Sequence, residues 1–299
     1  MRRVTHPLQG FFAALAAVSV LSIMDAAMKH LVLTIGVIAV SMWRAVANLV
    51  LSSGLYLRRR RNWPKRRTLW IHVSRSIVVT LMSVLFFWGI GRVPLAQAIA
   101  LTFIAPLIAM LLAPLFLKER LAGRSIAGAI VAFAGVLVIV LGQARANVGG
   151  QVLLGVAAIL GSAICYSGNI LMMRWQALAA KPLEINFFQS VVVMLLWVAA
   201  IPLVGVPSWP HGQISWVVIS SILSTSGSLL FAWAYARGEA SYLAVTEYSA
   251  FIWASILGWI VFSERVSLYT LAGAVLIVGG CLVAARRKNP PLPEIDVAA

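Results

Sequence analysis

Ten long apolar stretches dominate this sequence and restrict it to a fold built inside a lipid bilayer. A helix needs about 20 mostly apolar residues to cross a bilayer, and lipid offers no water to satisfy exposed backbone groups, so stretches of this length are helical. We expect an all-α membrane protein with ten transmembrane helices, over residues 8–30, 35–57, 69–91, 95–117, 123–142, 151–173, 183–204, 213–236, 240–262 and 268–285.

The charge pattern is typical of a membrane protein and not of one that binds nucleic acid. Only 11% of the 299 residues are charged, against about a quarter in a soluble domain, yet the net charge is +16. Basic residues crowd into the short gaps between apolar stretches, as they do in cytoplasmic loops. With the N-terminus inside, 18 Lys and Arg residues fall on the cytoplasmic side and four outside. We therefore predict a multi-pass protein of the bacterial inner membrane with no nucleic-acid partner, whose N-terminal segment 1–9 and tail 286–299 are cytoplasmic.

Motifs for catalysis or cofactor binding are missing from the sequence. The two cysteines, Cys165 and Cys281, lie in separate apolar stretches, and the four histidines are scattered near span ends, so no metal cluster is indicated. The sequence has no phosphate-binding loop, which excludes ATP as an energy source within this chain. We expect no enzyme activity, no metal and no cofactor. The alternative is a membrane-embedded enzyme or an assembly factor without transport activity.

The two halves of the chain repeat each other at a shift of 145 residues. Rare residue types fall in the same register, as in the pairs Trp88–Trp233, Arg92–Arg237 and Glu119–Glu264. The pattern predicts a first repeat over residues 10–142 and a second over residues 151–285. Each repeat holds five spans, an odd number, so the second copy enters the membrane from the opposite side. Inverted repeats of this kind are typical of transporters.

Several stretches of the sequence resemble one transporter family: MDAAMK at 24–29, WRA at 43–45, LFFWGIGRVPLAQAIALTFIAPLIAMLLAPLFLKE at 85–119 and FSE at 262–264. Over about residues 8–285 the chain resembles the drug/metabolite transporter superfamily, specifically its EamA-type ten-helix family. The resemblance implies a secondary transporter of a small organic metabolite that works by alternating access between two inverted repeats. The pattern around Asp25 and Arg44 is similar to that of proposed S-adenosylmethionine and riboflavin carriers. In the second half, Ile170 and Gln189 stand at the equivalent positions, which confines this charged pair to one half.

Charged residues in the first two spans are candidates for substrate binding or coupling, because charge inside a membrane is costly. Asp25 lies near the outer end of the first span, one turn before Lys29, and Arg44 lies at a similar depth in the second span. Three interpretations stay open for Asp25. It pairs with Lys29 along the helix, it forms a structural bridge with Arg44, or it acts with Arg44 in gating or substrate binding.

A second candidate group lies deeper in the membrane. Glu247 is seven residues into the ninth span, about 10 Å deep at 1.5 Å per residue. Its repeat equivalent is Thr102, and Arg75 lies at a comparable depth in the third span. Asn169 adds polarity to the sixth span. An inert Glu247–Arg75 bridge and a role in substrate binding or protonation are the two interpretations of Glu247.

Other repeated features favour structural roles. Glu119 and Glu264, at span ends, are interpreted as helix caps or loop anchors. Gly128 and Gly135 share one face of the fifth span, and Gly273 and Gly280 share one face of the tenth. Small faces let helices approach closely, so these glycines indicate helix packing within the chain or a homodimer. The expected partners are otherwise a small-molecule solute and the lipid bilayer.

Overall fold

A computed structural model describes residues 7–58, 63–117, 123–145, 150–235 and 246–285 of the chain. These residues form α-helices and no strands. The helices are α1 (Pro7–Ile35), α2 (Val37–Leu57), α3 (Arg66–Ile90), α4 (Leu95–Thr102), α5 (Ala105–Leu117), α6 (Gly123–Arg145), α7 (Gly150–Ala179), α8 (Pro182–Val204), α9 (Ile214–Tyr235), α10 (Ser249–Phe262) and α11 (Leu268–Ala285).

Most of these helices are suited to cross a membrane. Within the described residues, seven helical stretches are long and apolar enough, one of them formed by α4 and the first part of α5. Three shorter apolar stretches lie in α6, α10 and α11. Large apolar side chains on the outside are widely exposed, among them Val50, Leu203 and Leu268 at 67%, 88% and 81%. Such a surface is unfavourable in water, and lipid is its natural surrounding, so the chain is an all-helical membrane protein.

The fourth predicted span, 95–117, is interrupted in the structure. Helix α4 ends at Thr102, and α5 begins at Ala105 after a turn at Phe103 and Ile104. The cause is Pro106, which has no N–H for the carbonyl of Thr102 and whose ring clashes with that carbonyl. The expectation of one continuous helix is therefore wrong at this point, although the two pieces occupy the predicted range.

Two further predicted boundaries differ from the structure. The sixth span was expected to end at residue 173, but α7 continues to Ala179 because Gln176 is buried inside the protein, at 1% exposure, and not in a loop. The ninth span was expected over 240–262. Residues 240–245 lie outside the described residues, and α10 begins at Ser249, directly after a turn at Tyr248.

The glycine faces of α6 and α11 pack directly against each other. A Cβ atom added to Gly128 would lie 2.4 Å from the carbonyl oxygen of Gly280, and one added to Gly135 would lie 2.6 Å from that of Gly273. The two backbones are in contact over two turns. The predicted close packing is therefore present within one chain, and these faces are not available to a second copy.

Other helix pairs complete the bundle. α1 packs on α9, α3 on α7, α2 on α8, and α4 on α10. The main apolar core contains nearly all of α4, from Leu95 to Leu101, together with Met28 and Leu31 of α1 and Ile159 of α7. This core leaves polar side chains at the α2–α8–α9 junction and at the α3–α7–α8 junction.

Candidate functional site

A polar cavity of ≈ 100 Å³ lies between α2, α8 and α9. Polar side chains from all three helices line it: Arg44, Asn48 and Ser52 of α2, Asn186 and Gln189 of α8, and Ser224 of α9. The α2 residues are spaced four apart and therefore share one helix face. The cavity extends to Leu55 and Leu183, near the ends of α2 and α8 that are predicted to be cytoplasmic. We call it the Arg44 cavity.

Arg44 is the only charged side chain among the described residues that line this cavity. Its Nη2 donates to the hydroxyl of Ser224 at 2.9 Å, and its guanidinium lies 5.1 Å from the centre of the Phe87 ring. Its Nε is buried and has no hydrogen-bond partner, and the same is true of Oδ1 of Asn48 one turn along α2. The cavity therefore holds a free donor on a charged group and a free acceptor beside it.

Asp25 and Arg44 influence each other electrostatically, so the structure brings this predicted pair into one region. Within the described residues, however, their charged groups do not form an ion pair. The structural bridge considered from the sequence is not formed.

Lys29 is paired with Glu264 and not with Asp25. Its Nζ forms an ion pair with the Glu264 carboxylate and also donates to the backbone carbonyl of Val93. The other Glu264 oxygen accepts from the backbone N–H of Leu95, the first residue of α4, at 2.8 Å. Of the three interpretations of Asp25, pairing with Lys29 is therefore not supported, because Lys29 is paired with Glu264. Glu264 caps a helix as expected. Glu119 lies outside the described residues.

Arg75 and Asn169 belong to a network of polar side chains at the α3–α7–α8 junction. Arg75 donates from Nε to Oδ1 of Asn169 at 2.7 Å and from Nη1 to Oε1 of Gln176. Gln176 also contacts Nδ1 of His72 at 2.6 Å, and Nε2 of His72 lies 3.4 Å from the Glu184 carboxylate. Arg75 is therefore bound to amides, and the ion pairs found among the described residues do not include an Arg75–Glu247 bridge. We call these five residues the inner polar network.

Thr102 and Glu247 lie at two helix interruptions that face each other. Thr102 ends α4 and donates its hydroxyl to the carbonyl of Ile99 at 2.7 Å. Glu247 directly precedes the turn at Tyr248, and Tyr248 packs edge-on against Phe103 with ring centres 5.3 Å apart. Glu247 and Arg75 both act electrostatically on Tyr166. Interrupted helices near the membrane centre are common places for substrate and ion sites in transporters.

Several residues of these sites were not identified from the sequence. Asn48, Asn186 and Ser224 line the Arg44 cavity, and His72 and Gln176 belong to the inner polar network. A signal was present for Asn48 and Ser52, which follow Arg44 at intervals of four residues. No such signal connects Arg44 with Ser224, since 180 positions separate them. Gln189, the repeat equivalent of Arg44, lines the same cavity.

The described residues contain no cluster of three side chains that could hold a metal ion. The EamA-like transporter family matches the chain twice, over residues 8–141 and over residues 153–286. The chain belongs to the EamA-like transporter family. The resemblance drawn from the sequence motifs is thereby confirmed, and the EamA-like chain is a membrane protein of the drug/metabolite transporter type.

Individual relatives of this EamA-like protein are transporters and not enzymes. The chain is 26% identical over 289 residues to a pseudopaline exporter of Pseudomonas aeruginosa, covering 94% of this chain and 97% of the relative. It is 23% identical over 257 residues to a riboflavin transporter of Brucella anthropi, covering 84% and 89%. A solved crystal structure matches with a TM-score of 0.61 at 21% identity, over 94% of this chain and all of the other. This last likeness supports the fold alone.

Proposed function

We propose that this protein is a secondary transporter that moves a small organic metabolite by alternating access. In this proposal ten helices cross the bacterial inner membrane as two inverted repeats, 10–142 and 151–285, with both termini in the cytoplasm. The observation that carries the proposal is the family match along nearly the whole chain, together with relatives of similar length that are transporters.

The helix contacts support two structurally equivalent halves. Under the 145-residue shift, the α1–α9 contact is the equivalent of the α3–α7 contact, and α6 packs on its own equivalent, α11. The glycine contacts between these two helices are reciprocal: Gly128 lies against Gly280, and Gly135 lies against Gly273. Phe103 packs on Tyr248, which is its own repeat equivalent. Reciprocal contacts of this kind are expected when two copies are related by a two-fold axis.

The Arg44 cavity and the Lys29–Glu264 ion pair lie toward opposite ends of the helix bundle, which supports alternating access. The Arg44 cavity extends toward the ends of α2 and α8 that are predicted to be cytoplasmic. The Lys29–Glu264 ion pair joins α1 to the chain after α10 at the opposite end of the bundle. The repeat equivalents of these two residues in the sequence are Arg174 and Glu119, so a base and an acid recur in both halves.

Different residues have different roles in this proposal. Arg44 and Asp25 bind the solute at the closed end of the cavity. Arg75 and Asn169 hold α3 against α7 near the open end of the cavity. Thr102 and Glu247 lie at the helix interruptions. A side chain there can change its hydrogen-bond partner without breaking a continuous helix. We therefore assign both residues to coupling or to contact with the moving solute.

Purified protein in liposomes tests this function on many solutes at once. Proteoliposomes loaded with a mixture of bacterial metabolites are diluted into buffer, and mass spectrometry follows what leaves. We expect one solute, or a small related group, to leave faster than from protein-free liposomes and liposomes containing Arg44→Gln. Conversion of a solute into a new compound would instead support the membrane-embedded enzyme. Equal leakage from all three preparations would contradict transport.

A further inference from the structure

The inner polar network encloses a histidine, His72, whose side chain is 0% exposed. Nε2 of Gln176 on α7 lies 2.6 Å from its Nδ1, and the Glu184 carboxylate on α8 lies 3.4 Å from its Nε2. The ring of Phe188 stacks on the imidazole with ring centres 5.2 Å apart. Histidine is the side chain whose charge ordinarily changes between about pH 5 and 8. A ring that contacts two other helices in this way connects their hydrogen bonds with its own protonation.

The hydrogen bonds of Arg75 determine which ring nitrogen of His72 carries the proton. A guanidinium can only donate, so the Gln176 atom that Arg75 binds is the amide oxygen Oε1. The amide nitrogen of Gln176 therefore faces His72, and it too can only donate. Nδ1 of His72 must be the acceptor, which leaves the ring proton on Nε2, toward Glu184. The structure thus holds His72 neutral and in one tautomer.

A second proton on His72 is incompatible with this arrangement. It would be taken from water and bound at Nδ1, where the new N–H would point at the amide N–H₂ of Gln176, donor against donor. If the amide turned over, its oxygen would accept from Nδ1. Its nitrogen would then face Arg75, which has no acceptor to offer. Because Arg75 lies at one end of the amide and His72 at the other, the single oxygen serves one of them at a time.

The charged groups around His72 act in the same direction. Among the described residues, Glu184 of α8 attracts a protonated ring, whereas Arg75, one turn along α3, repels it. Helix α7 faces the ring with the neutral Gln176, and α2 reaches the same cluster through Tyr56, which packs on Phe188. Protonation would therefore strengthen the contact with Glu184 and disfavour the present position of Arg75.

We propose that His72, Gln176 and Arg75 form a proton-operated switch. When His72 is neutral, the oxygen of Gln176 binds Arg75. When His72 is protonated, the same oxygen binds the imidazolium, and Arg75 loses this bond while it keeps the one to Asn169. The switch goes beyond solute binding and names a form of regulation. It rests on the proposed transport function only for its consequence, a contact between α3 and α7 that changes with pH.

Nitrogen NMR of the wild-type protein tests the two states of His72 directly. The full-length protein with ¹⁵N-labelled histidine is placed in liposomes at about pH 8 and about pH 5, the range over which histidine ordinarily titrates. His72→Gln identifies the His72 signals among the four histidines. We expect a proton on Nε2 alone at the higher pH and on both nitrogens at the lower. A proton on Nδ1 alone at the higher pH, or a neutral ring at the lower, would overturn the proposal.

A double-mutant cycle tests whether protonation removes the bond between Arg75 and Gln176. Melting temperatures are measured for Arg75→Leu, Gln176→Leu and the double variant at the same two pH values. The part of the double variant's shift that the single variants do not explain reports the interaction between the two side chains. We expect this part to be present at about pH 8 and to disappear at about pH 5. An equal interaction at both pH values would overturn the switch.

Gln176→Glu removes the competition for one oxygen. Its carboxylate has two oxygens, one for Arg75 and one for the protonated Nδ1 of His72, so NMR should show His72 with both protons even at about pH 8. The matched control is Gln151→Glu, at a glutamine that also accepts from an arginine, Arg92. It should leave the His72 signals as in wild type. A neutral His72 in Gln176→Glu at the higher pH would contradict the shared oxygen.

The inference and the proposed function fail in different ways, because neither the NMR nor the melting cycle needs a transported solute. A switch found by both methods in a protein that moves no solute in proteoliposomes would leave the inference and contradict transport. Transport by a protein in which the bond between Arg75 and Gln176 is the same at both pH values would leave transport and contradict the switch.

Discussion

Lys29 of α1 and Glu264, two residues after α10, form a partly buried ion pair across 235 positions of the sequence. The same carboxylate caps α4 through the backbone N–H of Leu95. One acidic side chain thus connects α1, α4 and the end of α10 on the side opposite the open end of the Arg44 cavity. Opening of that side would require this pair to separate.

Removing only the base of this pair should destabilise the protein. Lys29→Met leaves the partly buried Glu264 carboxylate without its cation, which should cost about 1–3 kcal/mol. The double variant Lys29→Met with Glu264→Gln leaves no buried charge and keeps an oxygen for Leu95, so it should recover most of the melting temperature in detergent. Lys65→Met, at an exposed lysine, is the control. A single variant as stable as wild type would mean that the pair contributes nothing.

Two neighbouring glycines of α11 should respond differently to the same substitution. A Cβ at Gly280 would lie 2.4 Å from the Gly128 carbonyl oxygen, whereas one at Gly279 would meet nothing within 4 Å. Gly280→Ala should therefore lower the melting temperature, with an overpacking cost of about 1–3 kcal/mol. Gly279→Ala should be neutral or slightly stabilising, because alanine favours a helix.

Larger side chains on α6 and α11 extend this test. Gly128→Leu and Gly273→Leu should both prevent α6 and α11 from packing and reduce the yield of folded protein, as measured by gel filtration. Normal folding of either leucine variant would contradict the close contact between these two helices.

Asp25 and Arg44 should each be needed for transport, although they do not form an ion pair. Asp25→Asn leaves the Arg44 charge unbalanced, and Arg44→Gln removes the charged group proposed to bind the solute, so each should reduce the transport rate at least tenfold. The exchange Asp25→Arg with Arg44→Asp should restore part of the folding but little transport, because the cavity would then carry an acid. Wild-type rates in both single variants would remove these residues from the site.

Glu247 should be needed for gradient-driven transport. Glu247→Gln keeps the side-chain size and removes the charge at the interruption before α10, so we expect a folded protein with strongly reduced uptake or export driven by a gradient. Exchange of labelled for unlabelled solute separates two roles. It should persist if Glu247 carries the coupling ion and fail if Glu247 binds the solute, and unchanged transport with the same pH dependence would contradict both.

The positions of the helices could be predicted from the sequence because the length of an apolar stretch and the requirement for satisfied backbone groups are local properties. Pro106 even explains why α4 ends at Thr102, once the helix is known to continue beyond it. The extension of α7 could not be predicted, since Gln176 is polar and is kept inside by His72 and Arg75 of another helix.

The candidate site was predictable only in part. Arg44, Asp25 and Arg75 were found because charge in an apolar stretch is rare. Their partners were not, because Ser224 and Asn169 are ordinary polar residues whose importance comes from helix packing over 180 and 94 positions of the sequence. Lys29 illustrates the same limit, since its nearest acid along the helix is Asp25 and its actual partner is Glu264.

The central claim is that this chain carries a solute across a membrane by alternating access, and counterflow measures this most directly. Proteoliposomes are preloaded with an excess of the unlabelled solute identified by mass spectrometry, and entry of a trace of the labelled solute is followed without any ion gradient. We predict transient accumulation of label above the outside concentration, abolished by Arg44→Gln and unaffected by Arg92→Gln. A channel would let the label equilibrate without overshoot, and a protein without transport activity would leave it outside. Either result would contradict the account.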